Sequence, residues 1–267
     1  MTSLPTAFAS LLLSFFASVT SPVAPAALVA APAPVVPVQP VAAPMAPAAV
    51  AFEQHVLEGY TQSGLVTAGL PVLVYREAVV GFYNMQHRGK ISPDQHILTI
   101  VDFNQSSTSK RFWVIDLREE RLLFKTLVAH GKNSGEEFAQ AFSNREGSEM
   151  SSLGFYRTGR TYTGKHGLSL KLHGLDKDYN TNAFDRSVVV HGADYVSENF
   201  IREHGRLGRS QGCPALPSPE SSAIIRVIKN GTILYIHGPQ TATYNSSWLN
   251  LDTAVKAFAH DAGLAAN

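Results

Sequence analysis

The chain has one cysteine, Cys213, among 267 residues, so no disulfide framework holds it together. It also lacks any Asp, Glu, Lys or Arg before Glu53. No apolar run reaches the ~20 residues needed to cross a bilayer, which argues against stable membrane insertion, and no polybasic segment is present. A formal net charge of +1 gives no footprint for nucleic acid. The ten histidines include no His-Glu-x-x-His pattern and no Cys-His ligand set, so no metal site is expected. Six of them (His130, His166, His173, His191, His204 and His237) precede glycine, a common way to turn at a strand end.

The N-terminal region is read from its composition. Ala7 to Ala17 (AFASLLLSFFA) is an apolar run followed by small residues and prolines, which reads as a signal peptide over residues 1–21, although no Lys or Arg precedes it. No cysteine lies near the start to carry a lipid. Residues 22–50 hold eight prolines set among Ala and Val, a composition for an extended tether or a plain tail. Residues 51–267 are long enough for one domain with a sizeable core.

Glu53 to Arg88 reads as mainly helical, with Leu73, Val74, Ala78, Val79, Phe82 and Tyr83 at helical spacing, making 51–95 a helical N-terminal part. His96–Phe103, Phe112–Leu117 and Leu122–Val128 read as strands, the last two as a hairpin across Arg118-Glu119-Glu120. Glu136–Phe142 is a short helix candidate, and Phe155–Tyr162, Leu168–Leu172 and Ser187–Val190 add strands. Ser218-Pro219-Glu220 opens a helix with Ser218 as N-cap and Ile224, Ile225, Val227 and Ile228 as its buried face. Thr232–His237 is a closing strand and Leu251–His260 a terminal helix. The fold class is mainly β, a β-rich α+β domain with a few short helices.

Cys213 lies in Gly208-Arg209-Ser210-Gln211-Gly212-Cys213-Pro214. Free cysteine is often a small buried core residue. In an exported chain, however, an unpaired thiol between glycine and proline fits a nucleophile better. A nearby imidazole activates such a thiol, and His191, in Val190-His191-Gly192, is expected to stand rigidly at a strand end. Gly212 lets the backbone approach a substrate, and amides near Cys213 suit an oxyanion hole.

The block VDF…KRFWVIDL…LLFKTLVAHGKNSG…SSLGFYRTG…YTGKHGLSLKLHGL…VVVHGADYVSE…GRLGRSQGCPALP resembles the murein L,D-transpeptidase catalytic-domain family from about His96 to Pro239. The resemblance implies a sandwich-like β domain and a cysteine enzyme acting on peptidoglycan stem peptides in the periplasm or cell envelope, with no cofactor. It makes Cys213 the nucleophile, His191 the base, and Gly192 the residue whose carbonyl orients the imidazole. Ser210 matches the motif serine, as a loop brace or a substrate contact, and Gly154 matches a family glycine. Two departures stand out: Gln211 replaces the family's usual histidine, and Pro214-Ala215 follow where an Arg is common. Gln cannot act as a base. Arg209 or Arg206 would have to recognise the substrate carboxylate, unless they are solvated loop charges, and His173 is a further substrate-side candidate. The expected outcome is transpeptidation. Hydrolysis of the same acyl-enzyme, as in an L,D-carboxypeptidase or endopeptidase, and a non-catalytic wall-binding module are the alternatives.

Overall fold

The computed structural model describes residues 46–264. The expected signal peptide and most of the proline-rich segment fall outside them. Helix α1 spans Pro47–Gln62 with Pro47 in its first turn, so four residues assigned to the linker are helical. The helix expected through Arg88 is two helices. α2 runs Val72–His87, and Ser63–Pro71 turns between them on Gly64 and Gly69, both at positive φ. Pro71, with extended backbone, restarts the chain. Leu65 and Leu70 are buried within this turn, which is why the apolar pattern runs on through the break.

Eight strands form one sheet in the order β3-β2-β1-β8-β4-β5-β6-β7. They are β1 Ile97–Asp102, β2 Phe112–Asp116, β3 Arg121–Thr126, β4 Gly154–Gly164, β5 Gly167–Gly174, β6 Val189–Ala193, β7 Ala215–Pro217 and β8 Ile233–His237. Most pairings are antiparallel, but β1–β8 and β6–β7 are parallel. The sheet curls until its two ends meet: Ala129, just past β3, donates its N–H to Ala215 O in β7 at 2.9 Å. The β domain is therefore a single, nearly closed sheet.

Alternation along the strands divides the core. Leu98, Ile100, Trp113, Ile115, Phe155, Ile233 and Tyr235 point outward and pack under α1, α2 and the terminal helix α5, Leu251–Asp261. Val101, Phe112, Val114, Tyr156, Leu170, Val190, Leu234 and Ile236 fill the interior with Ile224, Ile225 and Ile228 of α4, Ser218–Ile228. Both faces being covered explains why β1 and β2 are buried at every position and read as unbroken apolar runs. Trp113 donates its indole N–H to Ala68 O at 3.0 Å, and Asn84 of α2 donates to Trp248 O and Asn250 O at 2.7 and 2.9 Å. These bonds tie the helices to the sheet and to one another.

Other expectations shift. Glu136–Phe142 is not helical: Gly135 and Ser134 hold it in an irregular turn, with Gln140 and Ala141 N–H both donating to Ser134 O. Ser218 starts α4 from its first turn and does not cap it; Pro217 is the N-cap, and Ser218 Oγ instead donates to Asp194 Oδ1 at 2.6 Å. The short helix α3, Glu198–His204, capped by Ser197 and closed by Gly205, and strand β7 have no counterpart in the sequence reading. Among the described residues no helix is long and apolar enough to cross a membrane.

Candidate active site

Past the helices the outer face of the sheet lies open, and Cys213 and His191 stand there. Strands β6 and β7 pair with His191 opposite Ala215. Carrying that register back two residues sets Cys213 beside Val189, and the Val189 N–H does point at Cys213 Sγ, 3.5 Å away. Strand β6 begins two residues later than expected, because Ser187 takes a left-handed conformation (φ 57°) that ends the preceding turn. His191 is therefore mid-strand and almost fully buried.

The imidazole is held by its neighbour: His191 Nδ1 lies 2.9 Å from Gly192 O. With Nδ1–H donating to that carbonyl, Nε2 is left as an acceptor. A side chain at Gly192 would press on Ser221 Oγ and the Ser218 backbone, so the residue lets α4 pack close beneath the base. The ring of His166, from the turn joining β4 and β5, stacks on His191 with centroids 4.4 Å apart. Burial lowers the His191 pKa from its ordinary value, the Gly192 bond opposes this, and His166 and Lys165 add to the lowering. The imidazole is a neutral base near pH 7.

The thiol departs from expectation. Burial raises the Cys213 pKa above the ordinary cysteine value, against smaller opposing effects of the Val189 N–H, Arg186 and Lys165. Sγ has the Ser187 carbonyl at 3.8 Å as its acceptor and makes no hydrogen bond to His191. The structure thus holds a neutral thiol and a neutral imidazole with no hydrogen bond between them, in place of a thiol acidified by a paired imidazole.

The loop before Cys213 is braced from within. Ser210 Oγ accepts from Gly212 N–H at 3.0 Å and donates to Cys213 O at 2.6 Å. The Gly212 amide is engaged by Ser210 in this structure, whereas the Cys213 N–H has no protein acceptor among the described residues. Gly212 itself is needed for its left-handed backbone (φ 116°) and because a Cβ there would stand 2.6 Å from Met150 O and 3.2 Å from Arg186 Nη2. Behind the loop, Ser210 N–H donates to His130 O, and the His130 ring takes a bond from the buried Arg111 at 2.7 Å. Burial and Arg111 push the His130 pKa down to about 4, so this histidine is a neutral brace.

Gln211 is exposed and reaches only Glu149, at 3.4 Å. Arg206 and Arg209 both pair with Glu136, at 2.9 and 2.6 Å, and Arg209 also donates to the Lys132 and Gly135 carbonyls. They act as ties between loops, already supplied with acceptors. His173 lies on β5 and stacks against Phe184 at 5.0 Å, on the open face but apart from the thiol. Gly154 adopts φ 99° where a Cβ would run into Asp176.

Two residues near the thiol escaped the sequence reading. Arg186 donates to Ser143 O at 2.7 Å, Met150 O at 2.6 Å and Ser148 Oγ at 3.2 Å, which fixes its guanidinium against Gly212. It comes from the turn before β6 and, like Arg206 and Arg209, is already supplied with acceptors. His166 is the other; its one visible signal was the His-Gly pair it shares with five other histidines. Among the described residues no three His, Cys, Asp or Glu side chains gather as a metal site would require.

The family model described as the L,D-transpeptidase catalytic domain matches residues 67–237. No curated protein matches the chain. Among solved structures, an L,D-transpeptidase from Mycobacterium smegmatis is 12% identical with a TM-score of 0.35, covering 54% of this chain and 59% of that one. The helical cell shape determining protein Pgp2 from Campylobacter jejuni is 13% identical with a TM-score of 0.39, covering 73% and 65%. L,D-transpeptidase 3 from Mycobacterium tuberculosis is 10% identical with a TM-score of 0.32, covering 54% and 61%. The chain thus aligns with less than two thirds of the length of each. With most of the described fold inside one family model, the chain belongs to the L,D-transpeptidase catalytic-domain family.

Proposed function

We propose that the protein transfers acyl groups between peptidoglycan stem peptides at the cell envelope, with Cys213 as nucleophile and His191 as base. Cys213 Sγ attacks the carbonyl of the third residue, a diamino acid, of a tetrapeptide stem while His191 Nε2 takes the thiol proton. The bond to the terminal D-residue breaks, its amine leaves with that proton, and a thioester remains. An amine of a second stem attacks the thioester, loses a proton through His191 to the departing sulfur, and leaves an amide cross-link and a free thiol. The Cys213 N–H is the donor available to the developing oxyanion, a bond typically worth ~3 kcal/mol in the transition state.

The observation that supports this reading is the pairing of β6 with β7, which aligns Cys213 with Val189, two residues from His191, on a face no helix covers. Arg186 and Lys165 add positive charge as sulfur gains negative charge. Intact-mass measurement of the domain incubated with a tetrapeptide stem tests it. The expected product is a thioester adduct on Cys213 lacking the terminal D-residue, consumed when an amine acceptor is added. An adduct that only water consumes would make the protein a hydrolase, and no adduct on Cys213 would reject the assignment.

A further inference from the structure

On the same face as the thiol, but two strands away from it, a groove of about 550 Å³ lies over the outer parts of β4 and β5. Arg157, Arg160 and Lys171 supply its charge, and His173, Tyr162 and Phe184 its walls; no acidic side chain lines it. Among the described residues none of the three long cations has a carboxylate partner, and the Arg157 guanidinium reaches only Lys90 O, at 3.4 Å. Of the Lys and Arg side chains among the described residues, only Arg76, Lys132, Arg206 and Arg209 are paired with acids, so what marks the groove is three cations gathered with no acid among them. The Lys171 ammonium lies 4.9 Å from the Phe184 ring centre and 6.0 Å from that of Tyr162, which holds it over the groove. Both rings are exposed, Tyr162 at 42% and Phe184 at 46%, and offer apolar surface to whatever lies between them. Burial lowers the His173 pKa, and the nearby Arg157 and Lys171 lower it further.

Register sets the distance to the chemistry. Lys171 pairs with Val189, and Val189 stands beside Cys213, so the groove begins two strand spacings, about 10 Å, from the thiol. An extended peptide covers that in about three residues. We propose that this groove binds the carboxylates of the acyl-donor peptide, on the residues preceding the carbonyl that Cys213 attacks. The inference rests on Cys213 being acylated. The groove then holds the half of the substrate that stays on the enzyme through both steps, which unpaired cations and aromatic walls suit better than they suit the small departing amine.

Binding to the unreactive Cys213→Ala protein tests this apart from catalysis. The probes are two tetrapeptides with a diamino acid third, one with a free acidic residue before it and one with that acid amidated. Calorimetry should show the free acid binding about tenfold more tightly, as two partly screened ion pairs imply. That preference should vanish in Arg157→Gln/Lys171→Gln, whose altered positions are exposed, and shrink in Arg160→Gln. Equal affinities for the two peptides, no binding of either, or an unchanged preference in the double variant would overturn the proposal. A clear preference in a protein whose intact form is never acylated would instead remove the acyl-transfer reading and leave the groove. Acylation without the preference would do the reverse.

Discussion

On β1 and β8 the outward residues Leu98, Ile100, Ile233 and Tyr235 lie beneath helices, while on β5 and β6 the equivalent face carries Lys171, His173, Val189 and His191. The same alternation therefore produces apolar packing where α2 covers the sheet and the proposed chemistry where no helix does. In the covered half, Gly81 lets the Phe155 ring pack directly against α2. In the uncovered half, His191 is held by the Gly192 carbonyl and by the stacked His166 ring. The helical N-terminal part thus belongs to the support of the sheet, and the loops before β6 and β7 belong to the site.

The sharpest separation of the halves is to remove the nucleophile. Cys213→Ala should lower acylation by about 10³-fold or more with melting temperature nearly unchanged, and His191→Ala should come close to it. Stem-peptide acylation followed by mass, alongside thermal melting, checks both. A matching change in the covered half should do the opposite. Gly81 of α2 faces Phe155, and a Cβ there would strike its ring. Gly81→Ala should cost about 2 kcal/mol of stability through overpacking while leaving the acylation rate per folded molecule intact, as denaturant titration would measure.

A smaller effect is expected at His166. Its ring lowers the His191 pKa directly and shields it from water, so removing it raises that pKa. The rate falls as His191 becomes protonated on acidification, so the acid limb of kcat/KM in His166→Ala should move to higher pH. A limb that stays in place would separate the two rings functionally. Smallest of all should be Gln211→Ala: one long, exposed bond to Glu149 is lost, so acylation should fall less than about threefold with the pH profile unchanged.

Much of this was legible in the chain. The runs of β1, β2 and β8 read as strands because both faces are buried, and the terminal helix fell within a residue of its expected end. Cys213 and His191 stood out as candidates through residue type and flanking glycines. What was hidden depends on contacts between distant segments. Arg186 matters because four acceptors from residues 143–152 aim it at Gly212, and nothing local to its sequence shows that. Arg206 and Arg209 looked available until Glu136, some seventy residues upstream, was seen to hold both. The thiol's acidity could not be read either, since a raised or lowered pKa depends on burial that only the fold creates.

Central to the proposed reaction is a neutral thiol and a neutral imidazole in the uncovered half that exchange a proton only during attack. The pH dependence of Cys213 alkylation by a small reagent, in the parent and in His191→Ala, measures this directly. Because burial raises the thiol pKa, labelling at pH 7 should be slower than for a free cysteine, climb only in the alkaline range, and be nearly the same in both proteins. Fast labelling that levels off below pH 7 and collapses in His191→Ala would mean a standing thiolate–imidazolium pair, and would contradict it.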